Sequence, residues 1–395
     1  MSRLRSCFRV LPALVALAAP LLSARPACAV HLFGTDARNT SAPTGSLANS
    51  GWQYAGYYHY NAITNPDGTP GGDFDNSLIW PIAPNWFVAA KHTVDSSAAG
   101  LTQWSVNYSG NNYGITEIVN HPTADLSLIH INGTIDSFAP LYTGSDETQE
   151  SVPLYDANGN IRTDANGNPL TENVGKQMMV YGFGGLTPDL NSPILTQDGR
   201  QAGWNWKGGF HYLAWGTNRA RSVEYDTRPG SETEYLRFTY EKPTLDNGDP
   251  NPHYTGVNEG FGAPEDSSAG IFIQEGGVWK LAGVLYGIDA EYDKDGKLFS
   301  DPRYGHDIFW GAIYDARGLY QMQYNEQGQQ TGFELITGDN PVPTGDYATR
   351  LSTFRPWIGS VTGITAAPEP GTAGLLLSGG LIGLTFRRTR RQKHD

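Results

Sequence analysis

Residues 77–94 read Ser-Leu-Ile-Trp-Pro-Ile-Ala-Pro-Asn-Trp-Phe-Val-Ala-Ala-Lys-His-Thr-Val, a strand-length apolar and aromatic run, a Pro-Asn break, and a second such run ending at Lys91-His92. The pattern recurs along the whole middle of the chain. Short runs rich in β-branched and aromatic residues are punctuated by Gly, Asn, Asp and Pro, and helical periodicity almost never lasts ten residues, so the fold class is all-β. Strands are expected at Tyr57–Ile63, Trp86–Ala90, Gln103–Tyr108, Leu126–Ile131, Gln177–Tyr181, Leu236–Tyr240 and Val278–Tyr286. Many short strands with frequent turns predict a sandwich or barrels. One helix is expected late, near Leu351–Ile358, with Gly359 after it.

Two other segments carry chemistry: His121-Pro122-Thr123-Ala124-Asp125-Leu126-Ser127-Leu128-Ile129, and Glu265-Asp266-Ser267-Ser268-Ala269-Gly270 before an apolar run. A serine hydroxyl is a weak nucleophile until an adjacent base takes its proton, and an imidazole needs a carboxylate to fix its tautomer. With His92 these segments resemble the three motifs of the trypsin-like serine endopeptidases, in that family's order of His, Asp, Ser. Gly182-Phe183-Gly184 and Tyr347–Ile358 are similar to two further family segments, so the resemblance spans about residues 30–362. It implies two packed six-stranded antiparallel β-barrels with a short C-terminal helix, and insertions near 61–76, 150–175 and 288–345. It also implies His92 as general base, Asp125 as its orienting carboxylate and Ser267 as nucleophile, forming an acyl-enzyme without a cofactor or metal. The backbone N–H groups of Glu265 and Ser267 would form the oxyanion hole, and Asp266 would shape the loop by pairing with a mature N-terminus. Phe261, six positions before the nucleophile, would take the specificity-pocket position, and without a carboxylate there no strict Lys or Arg preference is expected.

The nucleophile loop departs from the family where Glu265, Ser268 and Ala269 stand in place of glycines, whose backbone turns freely. Glu265 would put a negative charge near a developing oxyanion, while Ser268 and Ala269 would crowd the loop. Three readings stay open: an active peptidase, a pseudoenzyme serving as an extracellular matrix or binding module, and a structural protein of unrelated β fold.

At the N-terminus Arg3, Arg5 and Arg9 precede an apolar run from Val10 to Leu22 and a small-residue Ala27-Cys28-Ala29 site, the pattern of a signal peptide over 1–29 that releases Val30. At the other end, after a linker from 363, Pro368-Glu369-Pro370 precedes an apolar segment 371–386 and a basic tail 387–395. That order resembles the PEP-CTERM sorting signal. It implies export, transient membrane association, processing by signal peptidase and an exosortase-type enzyme, and a place at the cell surface or in an exopolysaccharide matrix. Cys7 and Cys28, both in the leader, are the chain's two cysteines, so the released domain is expected to have no disulfide. Of 27 basic and 40 acidic residues, removing four leader Arg, five basic tail residues and Asp395 leaves 18 and 39, a net of −21. Such a surface argues against nucleic acid and anionic membrane as partners; a protein or peptide substrate is what the peptidase resemblance implies.

The repeat Asp156-Ala157-Asn158-Gly159-Asn160 and Asp164-Ala165-Asn166-Gly167-Asn168 predicts surface hairpin turns. A calcium loop would need a Gly at its sixth position and a Glu at its twelfth, and both are missing.

Overall fold

Nearly every residue of the 77–90 run is apolar because the two strands that it contributes to are buried on both faces. In a strand successive side chains point to opposite sides. Ile79, Phe87, Ala89, Ile129 and Ile131 face one core with Tyr58, Val106 and Ile115. Leu78, Trp80, Ile82, Val88 and Leu128 face a second core, shared with Met179, Tyr181, Phe272, Leu281 and the helix residues Leu351, Phe354 and Ile358. The computed structural model describes residues 30–35, 37–61, 72–209, 211–226, 230–289, 292–296, 310–325 and 329–364. The expected leader, residues 365–395 with the sorting signal that begins at Pro368, and parts of the 61–76 and 288–345 insertions lie outside the described residues.

The first core fills a closed antiparallel barrel. Its strands follow one another around the wall as Gly56–Tyr60, Phe74–Ala83, Trp86–Ala89, Ser127–Ile131, Asn111–Asn120 and Trp104–Tyr108, which pairs back to Gly56–Tyr60. Closure leaves no edge strand in this unit.

The second large sheet has seven antiparallel strands in the order Ala214–Arg219, Gln177–Gly182, Gly270–Glu275, Val278–Ile288, Gly345–Arg350, Glu234–Thr239 and Ser222–Tyr225. It wraps its own core of Met178, Val180, Leu236, Phe238, Ile271, Ile273, Ala282 and Ala348, while Met179 and Tyr181 turn to the core shared with the barrel. Among the described residues its ladder runs open from Ala214–Arg219 to Ser222–Tyr225. The Asn218 side chain ties the sheet across that gap, donating to Thr239 O at 3.0 Å and Gly260 O at 2.9 Å.

All seven expected strands form, with ends displaced by a few residues. The helix runs further than expected, over Leu351–Thr362, with Gly359 inside it, and it stops at Gly363 in the left-handed conformation. The Asp-Ala-Asn-Gly-Asn repeats form tight turns: Asp156 Oδ1 accepts the Asn158 and Asn160 amides, and Asp164 Oδ1 accepts those of Asn166 and Asn168. The 288–345 segment contributes strands Tyr292–Asp293, Gly311–Ile313, Tyr320–Tyr324 and Gln330–Leu335 in two small sheets beside the main body. No helix among the described residues is long and apolar enough to cross a membrane.

Candidate active site

Strand Trp86–Ala89 ends in a single 3-10 turn, Lys91–Thr93, which presents His92. Asp125 lies just before strand Ser127–Ile131, the partner of Trp86–Ala89. That pairing brings the two together: His92 Nδ1 is 2.7 Å from Asp125 Oδ2, and the His92 backbone N–H donates to Asp125 Oδ1 at 2.9 Å. Asp125 is mostly covered, with its side chain 11% exposed, while that of His92 is 43% exposed. An acceptor on Nδ1 places the proton there and leaves Nε2 able to receive another.

The turn that holds Asp125 is built by His121, whose Nδ1 accepts the Ala124 amide at 3.0 Å and the Thr123 amide at 3.3 Å. That use of Nδ1 requires the ring to be neutral, and burial holds its pKa below the ordinary histidine value. Phe354 and Trp357 of the C-terminal helix meet the His121 ring edge to face, each at 4.8 Å. The helix therefore braces the Asp125 turn.

Ser267 reaches this place on the loop before strand Gly270–Glu275, and its neighbour Ser268 fixes it there. Ser268 Oγ accepts the Ala90 amide at 3.0 Å, two residues before His92. Its carbonyl accepts Trp80 Nε1–H at 2.9 Å, and its own amide donates to Leu285 O at 2.8 Å. Ser268 was expected to crowd the loop; instead its hydroxyl joins the nucleophile loop to the histidine turn. Ser267 itself is half-buried, and among the described residues its hydroxyl makes no hydrogen bond to His92. Tyr286, which sequence reasoning did not single out, stands edge-on to His92 at 6.1 Å and stacks on Tyr235 at 5.0 Å.

Asp266 is fully buried and accepts four backbone N–H groups: Phe183 at 2.8 Å and Gly184 at 2.6 Å on Oδ1, Ala263 at 2.9 Å and Val30 at 3.1 Å on Oδ2. Burial still raises its pKa above the ordinary value, against the pull of those donors. Glycine at 182 is dictated by this contact, because a Cβ there would stand 2.4 Å from Asp266 Oδ1.

Among the described residues four non-glycines have positive φ, and two of them are Glu265 (+82°) and Ser268 (+72°), which flank Asp266-Ser267. L-residues pay roughly 1–2 kcal/mol for that region. The amides of Asp266, Ser268 and Ala269 are all used internally, whereas those of Glu265 and Ser267 have no acceptor among the described residues.

Phe261 is not brought to an open surface. It is fully buried in strand Gly260–Phe261, which pairs with His31–Leu32, and it packs on Tyr240 at 5.3 Å and His31 at 5.7 Å. A carboxyl nonetheless arrives next to it, from a residue far along the chain: Asp346 Oδ2 accepts the Gly262 amide at 2.6 Å. Asp346 is fully buried, and burial holds its pKa well above the usual carboxylate range.

A pocket of about 460 Å³ opens between Trp52, Tyr57, Asn107 and Tyr212, and none of the expected catalytic residues lines it. Among the described residues no group of three or more His, Cys, Asp or Glu side chains is placed to hold a metal ion. No family model and no curated protein matches the chain.

Proposed function

We propose that the chain is an exported serine endopeptidase of the trypsin-like class, with the seven-stranded sheet as its second barrel. His92 takes the Ser267 proton at Nε2 as Ser267 Oγ attacks a peptide carbonyl, and Asp125 holds the ring and balances the imidazolium. The free amides of Glu265 and Ser267 receive the developing oxyanion. His92 then protonates the leaving amine, and water hydrolyses the acyl-enzyme by the same route. The observation that carries the reading is the bond from Ala90 N–H to Ser268 Oγ, which sets the serine loop against a histidine already held twice by one carboxylate.

Activation follows from Asp266. Cleavage after Ala29 would turn the buried Val30 nitrogen into an ammonium at a carboxylate that now has only neutral donors. Removal of the tail at the Pro-Glu-Pro signal would complete maturation and release the protein to the surface or matrix. With Phe261 enclosed and burial disfavouring the charged form of Asp346, cleavage without a strict Arg or Lys preference is expected.

The missing Ser267–His92 hydrogen bond favours the pseudoenzyme as second reading, although such bonds often tighten only with substrate bound. Labelling with a fluorophosphonate decides between them, because an unactivated serine does not react. Wild type should label at Ser267, and Ser267→Ala and His92→Ala should not. A folded wild type that stays unlabelled would leave the pseudoenzyme.

A further inference from the structure

Glu265 has a left-handed backbone that suits glycine, next to a site where negative charge would develop. Its carboxylate is not left free there. Oε2 accepts the Gly185 amide at 3.1 Å and lies 4.0 Å from His211 Nε2. His211 is aimed by its other nitrogen, since Nδ1 lies 2.8 Å from Phe183 O, a group that can only accept. Its ring also packs on Phe183 at 5.5 Å.

The strap 183–185 therefore contacts the nucleophile loop through three successive amides. Those of Phe183 and Gly184 donate to Asp266, and that of Gly185 donates to Glu265. There is no slack in the last contact: a Cβ on Gly185 would stand 3.0 Å from Glu265 Oε2 and 3.3 Å from His211 Nε2.

We infer that Glu265, Gly185 and His211 form a clamp that locks the serine loop in its left-handed form and holds the Glu265 carboxylate away from the oxyanion site. Glu265 and His211 are thus positioning residues, and the glutamate supports the site that its charge would otherwise oppose. The inference rests on the peptidase reading for its kinetic consequence, but the clamp itself is a contact that can be tested without turnover.

Three variants separate the clamp from a glutamate that is merely tolerated. Glu265→Gln keeps an acceptor for Gly185, Glu265→Ala keeps the Cβ and loses the acceptor, and His211→Ala removes the second contact. With one peptide substrate, the clamp predicts kcat lowered roughly tenfold in Glu265→Ala with KM unchanged, since an oxyanion donor acts on the transition state. Glu265→Gln should rescue kcat to within about threefold of wild type, and His211→Ala should lower it by about threefold, in line with a screened, exposed pair. An Ala variant as fast as wild type, or faster, overturns the clamp. If folded wild type fails to label with fluorophosphonate, the peptidase reading falls and melting temperatures test the clamp alone. Glu265→Ala should then melt roughly 2 °C or more below wild type and Glu265→Gln should not. Equal melting of all three would overturn it.

Discussion

The His92–Asp125 half of the site and the Ser267 half are built in opposite ways. In the barrel, neighbouring strands deliver the imidazole and carboxylate through a regular ladder, and the two meet without backbone strain. The serine loop holds two non-glycine residues at positive φ and depends on contacts from Val30, Trp80, Ala90, the 183–185 strap and Leu285. Local register places His92, while long-range hydrogen bonds place Ser267. Chemistry that needs both should therefore fail in different ways when each half is damaged.

The largest expected effect tests whether the halves act as one unit. Ser267→Ala, His92→Ala and Asp125→Asn should each lower kcat/KM by roughly 10⁴ or more, and combining them should not multiply the losses. If Ser267→Ala retains turnover and Ser268→Ala loses it, the nucleophile is misassigned by one residue.

Stability should then divide the two carboxylates. Asp266→Ala strands four amides, most of them buried, each costing about 1–3 kcal/mol, so its melting temperature should fall by roughly 10 °C or more. Asp125→Ala loses contacts to a partly exposed residue and should melt within a few degrees of wild type. Similar melting for both variants would erase the proposed difference between the halves.

A smaller effect is expected at Ser268, where strain and a hydrogen bond pull against each other. Ser268→Ala loses the Ala90 bond and keeps the positive φ; Ser268→Gly loses the bond and relaxes the backbone. Melting temperatures should fall in the order wild type, Gly, Ala, with the Ala variant less stable than wild type by about 1–3 kcal/mol. Gly melting below Ala would show that φ strain at this position is negligible.

The last effect, absent above pH 7 and growing only in acid, concerns the N-terminal strand that leads to Asp266. Burial among Trp206, Tyr240 and Phe261 lowers the His31 pKa to about 3, and neither ring nitrogen has a partner. The unfolded chain takes up a proton near pH 6.5 that the folded chain refuses, so His31 removes stability as pH falls from 6.5 toward 3. Melting of His31→Leu relative to wild type should therefore be flat above pH 7 and grow steadily more favourable below pH 6.5. A difference that does not vary with pH would show that His31 is not buried neutral.

Much of this was legible beforehand. Alternating and doubly apolar runs marked the strands, since burial on one face or two leaves a direct trace in residue type, and the resemblance of the segments around His92, Asp125 and Ser267 to a family's motifs, in that family's order, marked the candidate site. Three things were misread or missed for one reason. Ser268 read only as crowding the loop, Phe261 read as the specificity-pocket position, and Gly185, His211 and Tyr286 attracted no notice. Each takes its role from a partner far away in sequence, and residue type says nothing about which distant hydrogen-bond partner will arrive.

By itself, then, the sequence marked the all-β class and four of the six barrel strands, because these depend on hydrophobic periodicity and on local residue type, while resemblance to a known family's motifs marked the three segments that could carry acyl-transfer chemistry. Tertiary structure decided the rest. It determined that the barrel closes, that a helix from the chain's far end braces the Asp125 turn, and that Asp266 gathers four amides from three separate segments. It also determined that Glu265 can occupy a glycine's conformation, because Gly185 and His211 stand where its carboxylate ends. A backbone conformation that is costly for the residue alone persists when the surrounding fold supplies enough contacts to hold it, and those contacts exist only once the chain has folded.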